Sequence, residues 1–193
     1  APPNLQYSPR KIKESRYITT GLFEPGAALT KENCKVAPVF FFDFDLVDWV
    51  SYETDTPHKA AKEAIHASNN ETLATTMEPF LEAVLAALRE TMGQDPTALV
   101  NSGHGIHAYY WLVDPPAVEI VQSAQKQIVE KINKSAGFPF ADPKVINPGE
   151  RLCRPPGTIN PKGKTPRRVV LLHRDPTNWL TFPEPSPGKD TAG

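Results

Sequence analysis

Residues 40–48 read "FFFDFDLVD", two carboxylates inside one of the most apolar runs of the chain. The run predicts a strand over residues 39–47. In a strand, residues i and i+2 share a face. Asp43 and Asp45 therefore point the same way, together with Phe41 and Val47, while Phe42, Phe44 and Leu46 face a core on the other side. Two like charges this close resist ionisation unless a cation lies between them. One solution is an open sheet face in water. The other is a divalent metal, for which hard oxygen ligands suit Mg²⁺ or Mn²⁺.

The rest of the chain sets the frame. With 193 residues, 39% hydrophobic and 22% charged, it is in the range of one soluble globular domain with a real core. No apolar run reaches membrane-spanning length, so no membrane partner is expected. Cys34 and Cys153 make neither a disulfide framework nor a zinc motif, which fits a reducing cytoplasm. The net charge of −1 does not announce a nucleic-acid partner. Its distribution says more: Arg151, Arg154, Lys162, Lys164, Arg167, Arg168 and Arg174 follow one another with no acid among them.

Periodicity predicts helices over residues 56–69, 71–92 and 118–136, the second ended by Gly93. It predicts strands over residues 98–101, 106–113 and 167–172. Strands mixed with a few helices, without regular βα alternation, indicate an α+β sheet domain. The Pro-rich end "FPEPSPGKDTAG" reads as a tail or linker. The expected division is a catalytic domain over residues 1–180 and a tail over 181–193.

Two further regions carry chemistry. In "NSGHGIHAYYWLV", Gly103 and Gly105 permit a tight turn and close approach of a phosphate, and His107 follows at a strand start. His107 could donate to a phosphate oxygen or be a core histidine beside aromatics. His104 and His107 have no cysteines nearby to complete a zinc site. In "ADPKVINPGERLCRPPGTINPKGK", an acid, Asp142, precedes Arg154, a Pro-Gly turn, Thr158, Asn160 and Lys162. Basic groups and amide or hydroxyl donors around such a turn suit a triphosphate; read alone, the segment is a polar loop.

Together the three regions resemble the archaeo-eukaryotic primase superfamily, especially the primase-polymerase domains of phage and plasmid replication proteins. The matching motifs are the apolar strand ending in DxD (Phe40 to Asp45), the turn and histidine of "SGHGIH", and "RPPGTINPK" from Arg154 to Lys162. The resemblance implies that Asp43, Asp45 and Asp142 hold the catalytic Mg²⁺ or Mn²⁺ ions, with Glu150 as the fallback for the third acid. It implies that Ser102, Gly103 and His107 contact the incoming nucleotide, and that Arg154, Asn160 and Lys162 hold its phosphates from the other side. It leaves the role of His104 open, and this sequence lacks the zinc cluster of many relatives. The implied fold is the α+β primase core, an antiparallel or mixed sheet like that of RNA-recognition motifs, with an N-terminal α/β subdomain. The implied partners are a single-stranded DNA template, NTP or dNTP substrates, and a helicase domain or protein beyond Gly193, in the host cytoplasm. A metal-dependent nuclease using the same acids and a non-catalytic single-strand-binding module are the alternatives.

Overall fold

The computed structural model describes residues 18–23, 26–28, 30–146 and 152–182. Its strands are β1 (Ile18–Thr19), β2 (Leu22–Phe23), β3 (Cys34–Val36), β4 (Val39–Asp45), β5 (Ala98–Asn101), β6 (Gly105–Val113), β7 (Leu152–Cys153), β8 (Ile159–Asn160), β9 (Arg167–Arg168), β10 (Val170–Arg174) and β11 (Leu180–Thr181). Its α-helices are α1 (Leu46–Glu53), α2 (His58–Ala67), α3 (Asn70–Met92) and α4 (Val118–Ala136). The architecture is α+β, as the mixed periodicities imply.

β6 is the spine of the main sheet. β5 runs antiparallel on one side of it and is flanked in turn by β10; β4 pairs antiparallel with β6 in unbroken register from Val39↔Trp111 to Asp45↔Gly105; β11 pairs in parallel at Leu112 and Val113. Phe40, Phe42 and Phe44 point into the main core, where they meet Phe80, Val84 and Leu88 of α3 and Val121, Val129 and Ile132 of α4. The other face is not fully open. Phe41 is buried there with Val145 and Cys153, packed on Tyr109. On β4 this face is accessible at its Asp43–Asp45 end, where both acids are half-buried.

β4 stops at Asp45, two residues earlier than the apolar run predicts. The cause is a helix cap: the Asp45 carboxylate accepts from the Val47 N–H at 2.8 Å, and α1 begins at Leu46. Leu46 and Val47 are buried as helix residues rather than strand residues. The second DxD acid thus sits at a strand-to-helix junction, with its other carboxylate oxygen left for a ligand.

The edge of β4 away from β6 is closed by side chains and a loop. Gln125 lies within the buried stripe of α4; it accepts from Phe41 N–H at 3.2 Å and donates to Phe41 C=O at 2.8 Å. The same amide nitrogen donates to Val145 C=O. One residue pair along, Asp142 N–H donates to Asp43 C=O at 2.9 Å beside the bridge Phe44↔Ala141. Gln125→Leu would strip partners from three buried backbone groups. Each orphaned group costs on the order of 1–3 kcal/mol, partly relieved by relaxation, so we expect a loss of about 2–4 kcal/mol in urea unfolding. A loss below about 1 kcal/mol would show that β4 does not depend on this amide.

Candidate active site

The cross-strand register assembles the site. Asp43 lies opposite His107 and Asp45 opposite Gly105. His107 Nε2 is 3.6 Å from Asp43 Oδ1, and its Nδ1 is 3.4 Å from the Tyr109 hydroxyl. The missing side chain at Gly105 is a packing requirement, because a methyl group there would overlap the Phe44 carbonyl oxygen. The turn before β6 is tied by Ser102, whose N–H and hydroxyl both donate to Gly105 C=O, at 2.9 and 3.1 Å. Gly103 takes φ +92°, a conformation open chiefly to glycine.

A cavity of about 280 Å³ opens over these residues. One wall, from β4 and β6, carries Asp43, Asp45 and His107; another, from the segments at β7 and β8, carries Arg154, Asn160 and Lys162, and Ser102 also lines the cavity. Residues more than 110 positions apart in sequence thus share one site with an acidic and a cationic wall. Asn160 engages its amide internally: Nδ2 donates to Ser102 C=O at 2.7 Å and Oδ1 accepts from Lys162 N–H at 3.1 Å. It holds the turn and the Lys162 segment in place. Gly103 does not line the cavity, and its N–H donates to Asn101 Oδ1 at 2.8 Å.

Asp142 lies beside Asp43 through the backbone bond above, outside the cavity lining, with its Oδ1 accepting from Lys144 N–H at 2.9 Å. Glu150 falls outside the described residues. Sequence reasoning missed Asp48, on the first turn of α1, which pairs with His58 at 3.1 Å. Burial raises the Asp48 carboxyl, His58 opposes this, and the charges of Asp142 and Asp43 add to it, so four acids surround this end of the sheet.

His104 was also left open by the sequence. It is buried in the cavity wall against His66, ring centroids 5.0 Å apart, and neither ring nitrogen has a hydrogen-bond partner. Burial, then the charges of Arg167, His66, Lys162 and Arg154, push its pKa down to about 3. It is a neutral imidazole at physiological pH, and adds no charge to the cationic wall.

No family model matches the chain, and no curated protein sequence matches it. Among solved structures, it is similar to the Cyanophage S-2L Primase-Polymerase (PrimPol), AEP domain (PP-N190), at a TM-score of 0.51 and 15% identity. The match covers 83% of this chain and 63% of that one, so the chain spans less than two thirds of that structure. At this identity the likeness is one of fold. The chain has a primase-polymerase-like fold.

The donor chemistry fits a hard divalent cation. Among the described residues, no three His, Cys, Asp or Glu side chains converge on one metal position. Mg²⁺ in particular takes one or two carboxylates and completes its shell with water and phosphate oxygens. Asp43 and Asp45 are the two carboxylates in the cavity lining, which they share with Arg154 and Lys162.

Asp45 makes this testable through stability. Burial raises its carboxyl above the usual range, the Val47 N–H opposes this, and the charges of Asp48 and Asp43 add to it. A raised acid holds its proton more tightly folded than unfolded. Stability from this group is therefore full below the unfolded pKa of about 3.9 and declines as pH rises through the folded one. Ionised and without a cation, Asp45 is a net cost. Asp45→Asn keeps the cap and the volume. In chelator at pH 7 the variant should melt above the parent, the gap closing as pH falls below the carboxylate range. Added Mg²⁺ should raise the parent and not the variant. A parent that melts higher than Asp45→Asn at pH 7 in chelator would contradict this.

Proposed function

We propose that the chain is the catalytic core of a template-dependent nucleotidyltransferase, a DNA primase-polymerase that starts and extends primers on single-stranded DNA from NTPs or dNTPs. The observation that carries this reading is that one cavity is lined by Asp43 and Asp45, by Arg154 and Lys162, and by His107 and residues of the Ser102–Gly105 turn. Support at the level of fold comes from the likeness to a protein named a primase-polymerase.

The chemistry follows from the two walls. Phosphoryl transfer needs positioning and charge neutralisation more than covalent help from the protein. Arg154 and Lys162 pair with the triphosphate, Arg154 as a planar fork and Lys162 as a point charge. His107, buried and held between Asp43 and Tyr109, donates to a phosphate oxygen. Asn160 fixes the height of the turn against the cationic segment. Asp43 and Asp45 would hold Mg²⁺ or Mn²⁺, with Asp142 behind Asp43 through the backbone bond to β4. When bound, such ions lower the barrier by stabilising the attacking 3′-oxygen and the leaving pyrophosphate. The primer 3′-oxygen bonds to the α-phosphorus, the α–β phosphoanhydride bond breaks, and pyrophosphate leaves.

The test is incubation with unprimed single-stranded DNA, Mg²⁺ or Mn²⁺ and labelled NTPs or dNTPs, with products sized on a gel. Labelled oligomers complementary to the template are expected. Extension of a primed template with no product on the unprimed one would remove the priming part alone. Template shortening without incorporation would favour a nuclease.

A further inference from the structure

A second recess lies on the other side of the Ser102–Gly105 turn. It is a groove of about 220 Å³ between the first turns of α3 and the arginines of β9. One wall is apolar: Leu73, Ala74 and Met77. The other is polar and cationic: Asn101, Arg167 and Arg168. Gly103 forms its floor, so this groove and the acid-lined cavity share one turn as a partition.

Arg167 marks the groove as electrically unbalanced. It is buried, and its guanidinium donates to Gly103 C=O at 3.2 Å, Ile65 C=O at 2.6 Å, Ser68 C=O at 3.2 Å and Ser68 Oγ at 3.0 Å. All four acceptors are neutral. Among the described residues its buried Nε has no partner and no carboxylate pairs with it. Ile65 and Ser68 close the C-terminus of α2, whose partial negative charge balances the guanidinium only in part; an anion arriving beside it relieves the remaining cost. Arg168, exposed at the rim, doubles the positive charge. Glu71, on the first turn of α3, does not line the groove.

We propose that this groove holds one nucleotide unit of the template strand, its base over Ala74 and the exposed edges of Leu73 and Met77 and its phosphate paired with Arg168, above the buried charge of Arg167. The assignment rests on the nucleotidyltransferase reading for calling that strand the template. The chemistry of the groove itself suits an occupant with an apolar part and an anionic part. The groove's position favours the template strand, since only the Ser102–Gly105 turn separates it from the cavity where a templated nucleotide would react.

Arg168→Glu and Ala74→Glu test this. Both change exposed positions outside the acid-lined cavity. Binding of a fluorescent single-stranded oligodeoxynucleotide is read by anisotropy, in chelator and without nucleotide, across a salt series. Each variant should lose roughly tenfold or more in affinity at low salt, Arg168→Glu should flatten the salt slope by about one phosphate contact, and Arg168→Lys should bind nearly as the parent does. In synthesis, KM for the template should rise while KM for the nucleotide stays put. Melting temperatures of all variants are checked against the parent. Synthesis with unchanged template affinity in both variants overturns the groove and leaves the enzyme reading intact. A parent that makes no product, while Arg168→Glu still weakens binding tenfold, supports the groove and overturns the enzyme reading. Displacement of the oligonucleotide from this groove by a free mononucleotide overturns the strand assignment.

Discussion

Asp43→Asn is expected to reduce nucleotide incorporation at least about 10²–10³-fold, the scale on which removing one preorganised electrostatic group acts on a transition state. The loss should appear in single-turnover rates at saturating Mg²⁺ or Mn²⁺. The substitution is nearly isosteric. Asp43 is held in β4 by its backbone, paired with β6 on one side and with Asp142 N–H on the other, and none of those bonds uses its carboxylate. Far-UV circular dichroism and the melting temperature should therefore match the parent closely. Binding of single-stranded DNA should also survive, because the groove proposed for it lies across the Ser102–Gly105 turn. Incorporation within tenfold of the parent would remove Asp43 from the reaction and, with it, the reading of the cavity.

Gly105→Ala should have the largest effect on stability. The added methyl would overlap the Phe44 carbonyl oxygen and crowd the Phe44 carbonyl carbon and Asp45 Cα at 3.2 and 3.3 Å. All three are backbone atoms of β4, so no side chain can swing aside. The strands would have to separate at the one place where the register sets Asp45 beside the turn. Overpacking of this kind ordinarily costs about 1–3 kcal/mol, and a backbone obstacle puts this case at or above the upper end. Chemical unfolding checks it, with soluble yield as a second readout. A variant as stable as the parent would mean that Gly105 does not lie opposite Asp45.

Much of this fold was legible because it is written locally. The helix α3, read from the stripe Leu81, Val84, Leu85 and Leu88, and the αL glycine that ends it, Gly93, are short-range signals, although Phe80 joins Val84 and Leu88 in the core while Leu81 and Leu85 are only half-buried. The alternation of β6 and the body of α4 are too. The end of β4 was obscured because Leu46 and Val47 extend the apolar run. Asp45 followed by Asp48 carried a helix-start signal that the strand pattern masked. Gln125, His104 and Arg167 could not be read at all. Each is a polar residue whose partners lie tens of positions away, so its role exists only after the chain has folded.

The site divides in the same way. Asp43, Asp45 and His107 meet because two adjacent strands pair in a simple register. Arg154, Asn160 and Lys162 were implied by a motif, and no local rule would place them in one cavity with those acids. Asp142 reaches Asp43 through a single bridge between Phe44 and Ala141, which periodicity cannot reveal.

The central claim is nucleotidyl transfer in the acid-lined cavity, and pyrophosphate release tests it most directly. With single-stranded DNA template, Mg²⁺ or Mn²⁺ and NTPs or dNTPs, pyrophosphate should appear in proportion to nucleotide incorporated, and both should vanish in Asp43→Asn. Incorporation that persists in Asp43→Asn, or template degradation with no pyrophosphate, would contradict the account.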